Sequence, residues 1–362
     1  MRILAIETSC DDTAIALVEA SGTVSAPRFR VIKSIISSQI DVHRPWGGVV
    51  PNLAKREHIQ NLPEIFRQIF NLQFSNNNFQ INSKSKIPKI DAIAVTVGPG
   101  LEPALWAGIT FAKQVWQNLK SQNSNLKIIG VNHLEGHLYS FLLSQGLKNK
   151  NSKLKTLFPA IALIVSGGHT ILLRMDSLAK WKMLGETRDD AVGESFDKVA
   201  KMLGFPYPGG PEIQRLAESG DPRAIPFPSP MIGTKDYNFS YSGLKTSVLY
   251  YLRDHHPTTK NRKLKNDVAA SFQEAALKVL VKKTERAVRE FDAKTILLSG
   301  GVAANASLRE KLSVESEKLK VNFIAPPQSF NTDNAVMIAV AGYMSILRKK
   351  NRKLAADGTM GI

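Results

Sequence analysis

Residues 3–18 read ILAIETSCDDTAIALV, and residues 160–175 read AIALIVSGGHTILLRM. In each, two apolar, strand-like runs flank a short polar turn, the pattern of a β-hairpin. The first turn, ETSCDD, is acidic. The second, SGGHT, carries paired glycines, which permit backbone conformations that other residues resist. A third apolar run, 295–298 (TILL), leads into SGGVAANASLREKL, a glycine turn followed by a helix. Two such units far apart in one chain point to an internal pseudo-duplication.

Helical periodicity fills the intervals. Between 52 and 70, Leu53, Ile59, Leu62, Ile65, Phe66, Ile69 and Phe70 recur at three- and four-residue steps, and Pro63 is expected to kink or split that helix. The strand 92–97 (AIAVTV) runs into GPGLEPALWAGITFAKQVW, a Gly-Pro-Gly turn opening a helix. Further helices are expected over 267–291 and 333–348. Strands alternating with helices predict an α/β protein whose functional loops follow the strands.

The chain has 362 residues, 43% of them hydrophobic, enough for two core-bearing domains. The single cysteine, Cys10, excludes an internal disulfide and a cysteine-cluster metal site, so any metal must be held by His and carboxylate, and a reducing cytoplasmic location is expected. The opening MRILAIETSCDD has acidic residues where a signal peptide would be apolar, and no run reaches the roughly 18 apolar residues of a membrane span. A soluble, unprocessed protein without a membrane partner is the expectation. With 48 Lys plus Arg against 31 Asp plus Glu, the net charge of +17 suits a polyanionic partner. Many of these cations lie in polar runs at 75–89, 146–155, 255–265 and 347–354, so a merely basic solvated surface reads equally well from composition.

The segment 131–140, VNHLEGHLYS, has two histidines four apart. On a helix turning about 100° per residue, His133 and His137 lie about 40° apart on one face, while Glu135 is about 200° from His133. In a HExxH zinc protease the glutamate follows the first histidine and reaches the metal-bound water. HLEGH keeps the ligand spacing without that base, which disfavours a peptidase. A metal pair and a surface or core pair are both open readings for two histidines alone. Asp333 in NTDNAVMIA, at the expected start of a helix, is the candidate third ligand, or else an N-cap. The turns SGGHT and SGGVAAN expose backbone N–H groups of the kind that bind phosphate. Asp197, on a helix leading into Pro208, Gly209, Gly210 and Pro211, could bond a ligand hydroxyl or face solvent.

In order along the chain stand ILAIETSCDDTAIALVE, GGVVPNLAKREHI, TVGPGL, VNHLEGHLYS, LIVSGGHT, DDAVGESFDKVAKMLGFPYPGGPEI, FSYSGLKT, SGGVAANASLR and TDNAVMIAVAG. Together they resemble the tRNA N6-adenosine threonylcarbamoyltransferase family, once described as O-sialoglycoprotein endopeptidases. The resemblance implies an α/β, two-lobed fold of the actin, sugar-kinase and Hsp70 type with an interlobar nucleotide cleft. One lobe is expected over 1–130 and the other over 131–362, with the chain crossing back near its C-terminus. It implies transfer of threonylcarbamoyl from threonylcarbamoyl-AMP to N6 of adenosine 37 in tRNAs reading codons that begin with A. Carried over by motif, His133, His137 and Asp333 bind one divalent metal, iron or alternatively zinc, and Ile164, Val165, Ser166, Gly167, Gly168, Asp197, Gly210 and Asn305 contact the donor. Asp11, in the acidic hairpin, is the candidate for accepting the proton or for ordering the site, and no catalytic residue is assigned. The implied partners are tRNA, a shorter paralogous subunit of the same fold, and a small P-loop ATPase.

Three features depart from the family pattern: Gln214 follows PGGPEI where many relatives carry aspartate, Asn331 replaces a cysteine often found before TDN, and AADGTMGI stands where many members have a basic, tryptophan-containing tail. The lysine-rich runs near 75–89 and 146–155 also look lineage-specific. The rival readings are a phosphotransferase or ATPase of the same fold, and a non-catalytic binding subunit, a class that typically loses the metal ligands kept here.

Overall fold

The computed structural model describes residues 1–72, 87–121, 123–144, 154–255 and 261–362. Most of the basic runs at 75–89 and 146–155, and residues 256–260 of the third, lie outside the described residues. In chain order the elements are β1 (Arg2–Glu7), β2 (Asp12–Thr23), β3 (Ala26–Ser38), the one-turn α1 (Ile40–His43), α2 (Pro51–Phe70), β4 (Ala92–Gly98), α3 (Glu102–Lys120), β5 (Lys127–Asn132) and α4 (His133–Tyr139). Then come β6 (Ala160–Val165), β7 (Thr170–Ser177), β8 (Lys180–Glu186), α5 (Val192–Met202), α6 (Gly209–Ala217), α7 (Ser242–His255), α8 (Arg262–Glu290), β9 (Thr295–Ser299), α9 (Ala306–Leu319), β10 (Asn322–Ile324) and α10 (Ala335–Leu347). Met1–Asn151 with Asp333–Ile362 form one compact unit, and Ser152–Thr332 form a second.

Each unit holds one five-stranded sheet, and the two sheets are topological copies. Numbered within its own unit, each has the order third, second, first, fourth, fifth: β3-β2-β1-β4-β5 and β8-β7-β6-β9-β10. In both, the first three strands form an antiparallel meander and the fourth and fifth run parallel to the first. This is the duplication that the two hairpins foreshadow. Strands one and four are parallel neighbours in each unit, so the segments that follow their C-terminal ends, where α/β folds bind ligands, start side by side.

In the first unit the sheet is covered on both faces, which explains why its strands read as unbroken apolar runs. One face packs Leu62, Ile65 and Phe66 of α2 and Phe111 and Val115 of α3 against Leu4, Ile6, Ile15, Ile93 and Val95. Helix α10 is apolar all round, buried along nearly its whole length, and packs on all five strands of this sheet. In the second unit, Leu163, Val165, Leu172 and Leu298 meet Phe196, Val199, Phe272 and Ala276 of α5 and α8.

Pro63 does not split α2, which runs unbroken from Pro51 to Phe70. The lost N–H would have bonded the carbonyl of Ile59, a residue 54% exposed, where water can take its place. The apolar pattern predicts only two strands for the first hairpin, whereas β3 continues it as a long edge strand whose side chains are mostly half-buried or exposed. Such a strand gives no clear apolar alternation to read.

Candidate functional site

Helix α4 starts where β5 ends. Asn132 has extended backbone and its Oδ1 accepts from the N–H of Glu135 at 3.0 Å, an N-cap that launches the helix directly into its first histidine. His133 and His137 share one face, their rings edge to face with centroids 4.7 Å apart. Gly136, on the flank of that face, lets α4 approach α10: a Cβ there would lie 3.0 Å from Cγ of Met337. Asp333 is not the cap of α10. Asn334 is, accepting from the N–H of Met337 at 3.0 Å, which leaves the Asp333 carboxylate to face the histidines. Its Oδ1 lies 3.4 Å from Nε2 of His133 and 3.2 Å from Nε2 of His137.

Glu7, absent from the sequence candidates, holds this group from behind. It is fully buried at the end of β1, and its carboxylate accepts from the Ser9 N–H at 2.6 Å and from Thr96 Oγ1 at 2.6 Å. Its Oε2 stands 3.2 Å from Nδ1 of His133, which also lies 3.1 Å from the Ser9 hydroxyl. A lone carboxylate ending a wholly apolar strand was the available signal. Burial works against ionised His133, but Asp333 and Glu7 outweigh it and raise its pKa to about 10. Asp333 is the converse: burial would raise it, yet the two imidazoles hold it well below the usual carboxylate range. Burial dominates at His137 and keeps it neutral.

These residues fit a metal ion. Asp333 Oδ1, at 3.4 and 3.2 Å from the Nε2 atoms of His133 and His137, stands at spacings that bonds of about 2.1 Å to a shared centre allow. Both ring nitrogens of buried His137 lack a hydrogen bond of acceptable geometry, the Nε2–Asp333 approach being close without being aligned. Two imidazoles and a carboxylate suit a first-row divalent ion, and Glu7 on the far nitrogen of His133 is the outer carboxylate that orients such ligands.

Glu135 points the other way. It is buried and pairs with Arg352 Nη2 at 2.7 Å and Lys350 Nζ at 2.9 Å. Burial would raise its pKa, but these cations pull it below the usual value. A carboxylate so engaged cannot serve as the base of a metallopeptidase. Asp11 lies in the β1–β2 turn, its carbonyl accepting from the Gln39 N–H at 2.9 Å.

The donor-site candidates all belong to the second unit and form a chain of contacts around the ends of β6 and β9. Ile164 and Val165 are fully buried strand residues, main chain included, and act by holding the turn that follows them. The Ser166 N–H donates to the His169 carbonyl at 2.8 Å, closing the turn. Gly193 abuts it, where a Cβ would lie 2.6 Å from the Ser166 carbonyl oxygen, and the Glu194 N–H donates to the Gly167 carbonyl. From α5, Asp197 Oδ1 accepts from the N–H groups of Gly209 at 2.7 Å and Gly210 at 3.3 Å, capping α6. Asp197 therefore does not simply face solvent. From α6, Gln214 Oε1 accepts from the Ala306 N–H at 3.0 Å, and Asn305 caps α9 while donating to Gln273. Gly300, at φ +91°, closes the circuit with its Cα against the Val165 carbonyl. The paired glycines of SGGHT differ from expectation: neither has positive φ, and no atom lies within 4 Å of where a Cβ would be. They supply room, not an unusual backbone.

Residues 30–340 match the family described as tRNA N6-adenosine threonylcarbamoyltransferase. A protein of that name from Thermosipho africanus (strain TCF52B) is 43% identical, over 99% of this chain and 98% of its own. One from Moorella thermoacetica (strain ATCC 39073 / JCM 9320) is 45% identical, over 96% and 93% respectively. Among solved structures, HypF from T. kodakarensis aligns with a TM-score of 0.58 at 14% identity, over 96% of this chain and 48% of that one. Full-length HypF in its phosphate- and nucleotide-bound form aligns at 0.55 and 11%, over 98% and 56%. These two likenesses show the fold, that of the actin, sugar-kinase and Hsp70 class. The near full-length identity to the transferases shows the family, and the chain belongs to the tRNA N6-adenosine threonylcarbamoyltransferases.

Proposed function

We propose that this protein transfers the threonylcarbamoyl group from threonylcarbamoyl-AMP to N6 of adenosine 37 in tRNAs reading codons that begin with A. The observation that carries this reading is identity of 43–45% over at least nine-tenths of both chains with transferases of that name. The exocyclic amine of adenine is a weak nucleophile because its lone pair is conjugated into the ring, so the donor carbonyl must be activated and well placed. The new C–N bond forms at N6, the C–O bond to phosphate breaks, AMP leaves with the electron pair, and N6 loses a proton, for which Asp11 is the candidate acceptor.

His133, His137 and Asp333 would hold one divalent ion, Fe2+ or alternatively Zn2+, which when bound supplies Lewis-acid polarisation of donor oxygens. Glu7 keeps His133 in the tautomer that presents Nε2. In the second unit, the SGGHT main chain is the candidate source of N–H groups for phosphate, while Asp197 and Asn305 fix the starts of α6 and α9. Gly167, Gly168 and Gly210 leave open space for close approach. The base at position 37 must leave its stack, which costs less in an anticodon loop than in a duplex. The net charge of +17 suits that partner. A paralogous subunit of the same fold and a small P-loop ATPase complete the proposed assembly, in the cytoplasm; among the described residues no helix is long and apolar enough to cross a membrane.

The test combines protein, partners, ATP, threonine, bicarbonate, the adenylate-forming enzyme and unmodified tRNA, followed by nucleoside mass spectrometry. A threonylcarbamoyl mass gain on adenosine, lost in Asp333→Ala, is the expected result. ATP hydrolysis without that product, every other component being validated by a known homologue, would favour the ATPase or binding-subunit reading.

A further inference from the structure

We propose that the segment 348–361 is a strap that fixes the position of helix α4, and that Glu135 is the positioning residue through which it acts. The inference rests on the reading of His133 and His137 as metal ligands. It assigns to the glutamate of HLEGH a task unrelated to proton transfer.

The strap is fastened to the ends of β4 and β5 and to α4 itself, all within the first unit. At its start, Arg348 Nη1 donates to the hydroxyl of Tyr139, the last residue of α4, at 3.0 Å. Two residues on, Lys350 and Arg352 converge on Glu135, and Arg352 reaches both carboxylate oxygens, at 2.7 and 3.3 Å. The main chain then crosses the strand ends. A Cβ on Gly130 would meet the Lys353 carbonyl at 3.1 Å, the Asp357 N–H donates to the Val97 carbonyl at 2.9 Å, and the Gly100 N–H donates to the Gly358 carbonyl at 3.3 Å. Leu354, Ala356 and Met360 lie against the core. Finally the Gly361 carbonyl accepts from Nδ2 of Asn132 at 2.8 Å, the same side chain whose Oδ1 caps α4.

The strap therefore holds α4 at its cap, its middle and its end. α4 is only two turns long, too short to be stable by itself, so its position is set by what it packs against. Its histidine face looks toward Asp333, and the opposite face carries the only acidic side chain of α4, buried and matched by two cations of the strap. Arg352 is itself only 12% exposed, so the pair has little water to fall back on. Loosening that side would let the imidazoles drift from the geometry the ion requires, without touching a ligand.

The test is titration of the metal-freed, full-length protein with Co2+, followed by its absorption, together with hydrogen exchange of the backbone. Glu135→Gln and Arg352→Gln should each weaken Co2+ binding about tenfold, within the range seen for groups that orient ligands. The double variant should be no worse than the weaker single one, and Arg352→Lys should recover most of the loss. Amides of 353–360 and of α4 should exchange faster in both glutamine variants. Affinity and exchange equal to the parent in both would overturn the proposal, as would a loss in Glu135→Gln that Arg352→Gln does not share. Should Glu135→Gln fail to fold, Arg352→Gln and the milder Lys350→Gln decide. A parent that takes up no Co2+ refutes the metal reading itself; the strap is then judged by exchange alone, and unchanged α4 amides in Arg352→Gln overturn it.

Discussion

Nδ1 of His133 lies 3.2 Å from Oε2 of Glu7, joining the end of the first strand to the helix that carries both imidazoles. The Glu7 carboxylate already accepts from the Ser9 N–H and the Thr96 hydroxyl, so every group around it is a donor aimed at a fixed anion. His133 is thereby held with Nδ1 protonated and Nε2 turned toward Asp333.

Glu7→Gln should disturb this without emptying space. The glutamine amide brings two N–H donors where the site offers only donors, so at least one bond must be lost and the imidazole loses its orienting charge. Metal affinity is expected to fall about 10- to 100-fold, read by Zn2+ competition, and transfer activity should fall with it. Unchanged affinity would mean that Glu7 serves only the packing of β1.

Gly300 and Gly167 should respond oppositely to alanine. At φ +91° a side chain at 300 is strained, and its Cβ would stand 2.2 Å from the Val165 carbonyl oxygen, so Gly300→Ala should cost about 1–3 kcal/mol from the backbone alone and more from the clash. Gly167 is free of both constraints, and Gly167→Ala should melt like the parent. If Gly167→Ala nevertheless loses donor binding, the open space at SGGHT is where the donor comes close.

Asp197 serves α6 as a cap from outside the helix. Asp197→Ala should cost about 1 kcal/mol in thermal unfolding, within the usual range for lost caps, whereas Asp197→Asn keeps an accepting oxygen and most of the stability. Weaker adenylate binding in the stable Asp197→Asn protein would show that the charge also meets the ligand.

The two hairpins made the duplicated sheets legible because strands covered on both faces read as unbroken apolar runs; Leu4, Ile6, Leu163 and Val165 are all fully buried. The HxxxH spacing likewise announced one helix face. What did not show was everything set by contacts distant in sequence. Glu7 meets His133 across 126 positions, and Arg352 meets Glu135 across 217. No local periodicity encodes such pairs. Asp333 reads from its own stretch as either a third ligand or an N-cap, and the choice between them depends on Asn334 taking the capping task.

The last prediction concerns the support beneath the acidic turn. The Val50 N–H donates to Nδ1 of His43 at 3.4 Å, so the proton of that ring is on Nε2, which donates to Gln39 Oε1 at 3.1 Å. Gln39 then presents its Nε2 to Nδ1 of His58 at 3.1 Å, and His58 Nε2 donates to the Cys10 carbonyl at 3.0 Å. The chain needs both rings neutral. Burial lowers the pKa of both, opposed at His58 by the bond to the Cys10 carbonyl and then by Glu7 and Asp11, and at His43 by Asp11 and Glu57. A histidine with a depressed folded pKa contributes stability above its unfolded value near 6.5, and that contribution is lost as pH falls. Asp12 acts in the opposite sense. Burial first, then Asp333, push it up to about 7, so it favours the folded state most below its unfolded value near 3.8 and loses that contribution as pH rises through 7. Comparing the parent with His58→Gln cancels the Asp12 contribution to first order. The parent's stability advantage in urea unfolding should hold from pH 8 to about 6.5 and shrink from there to pH 5, and a constant advantage would mean that His58 keeps the same protonation state in both folded and unfolded chains.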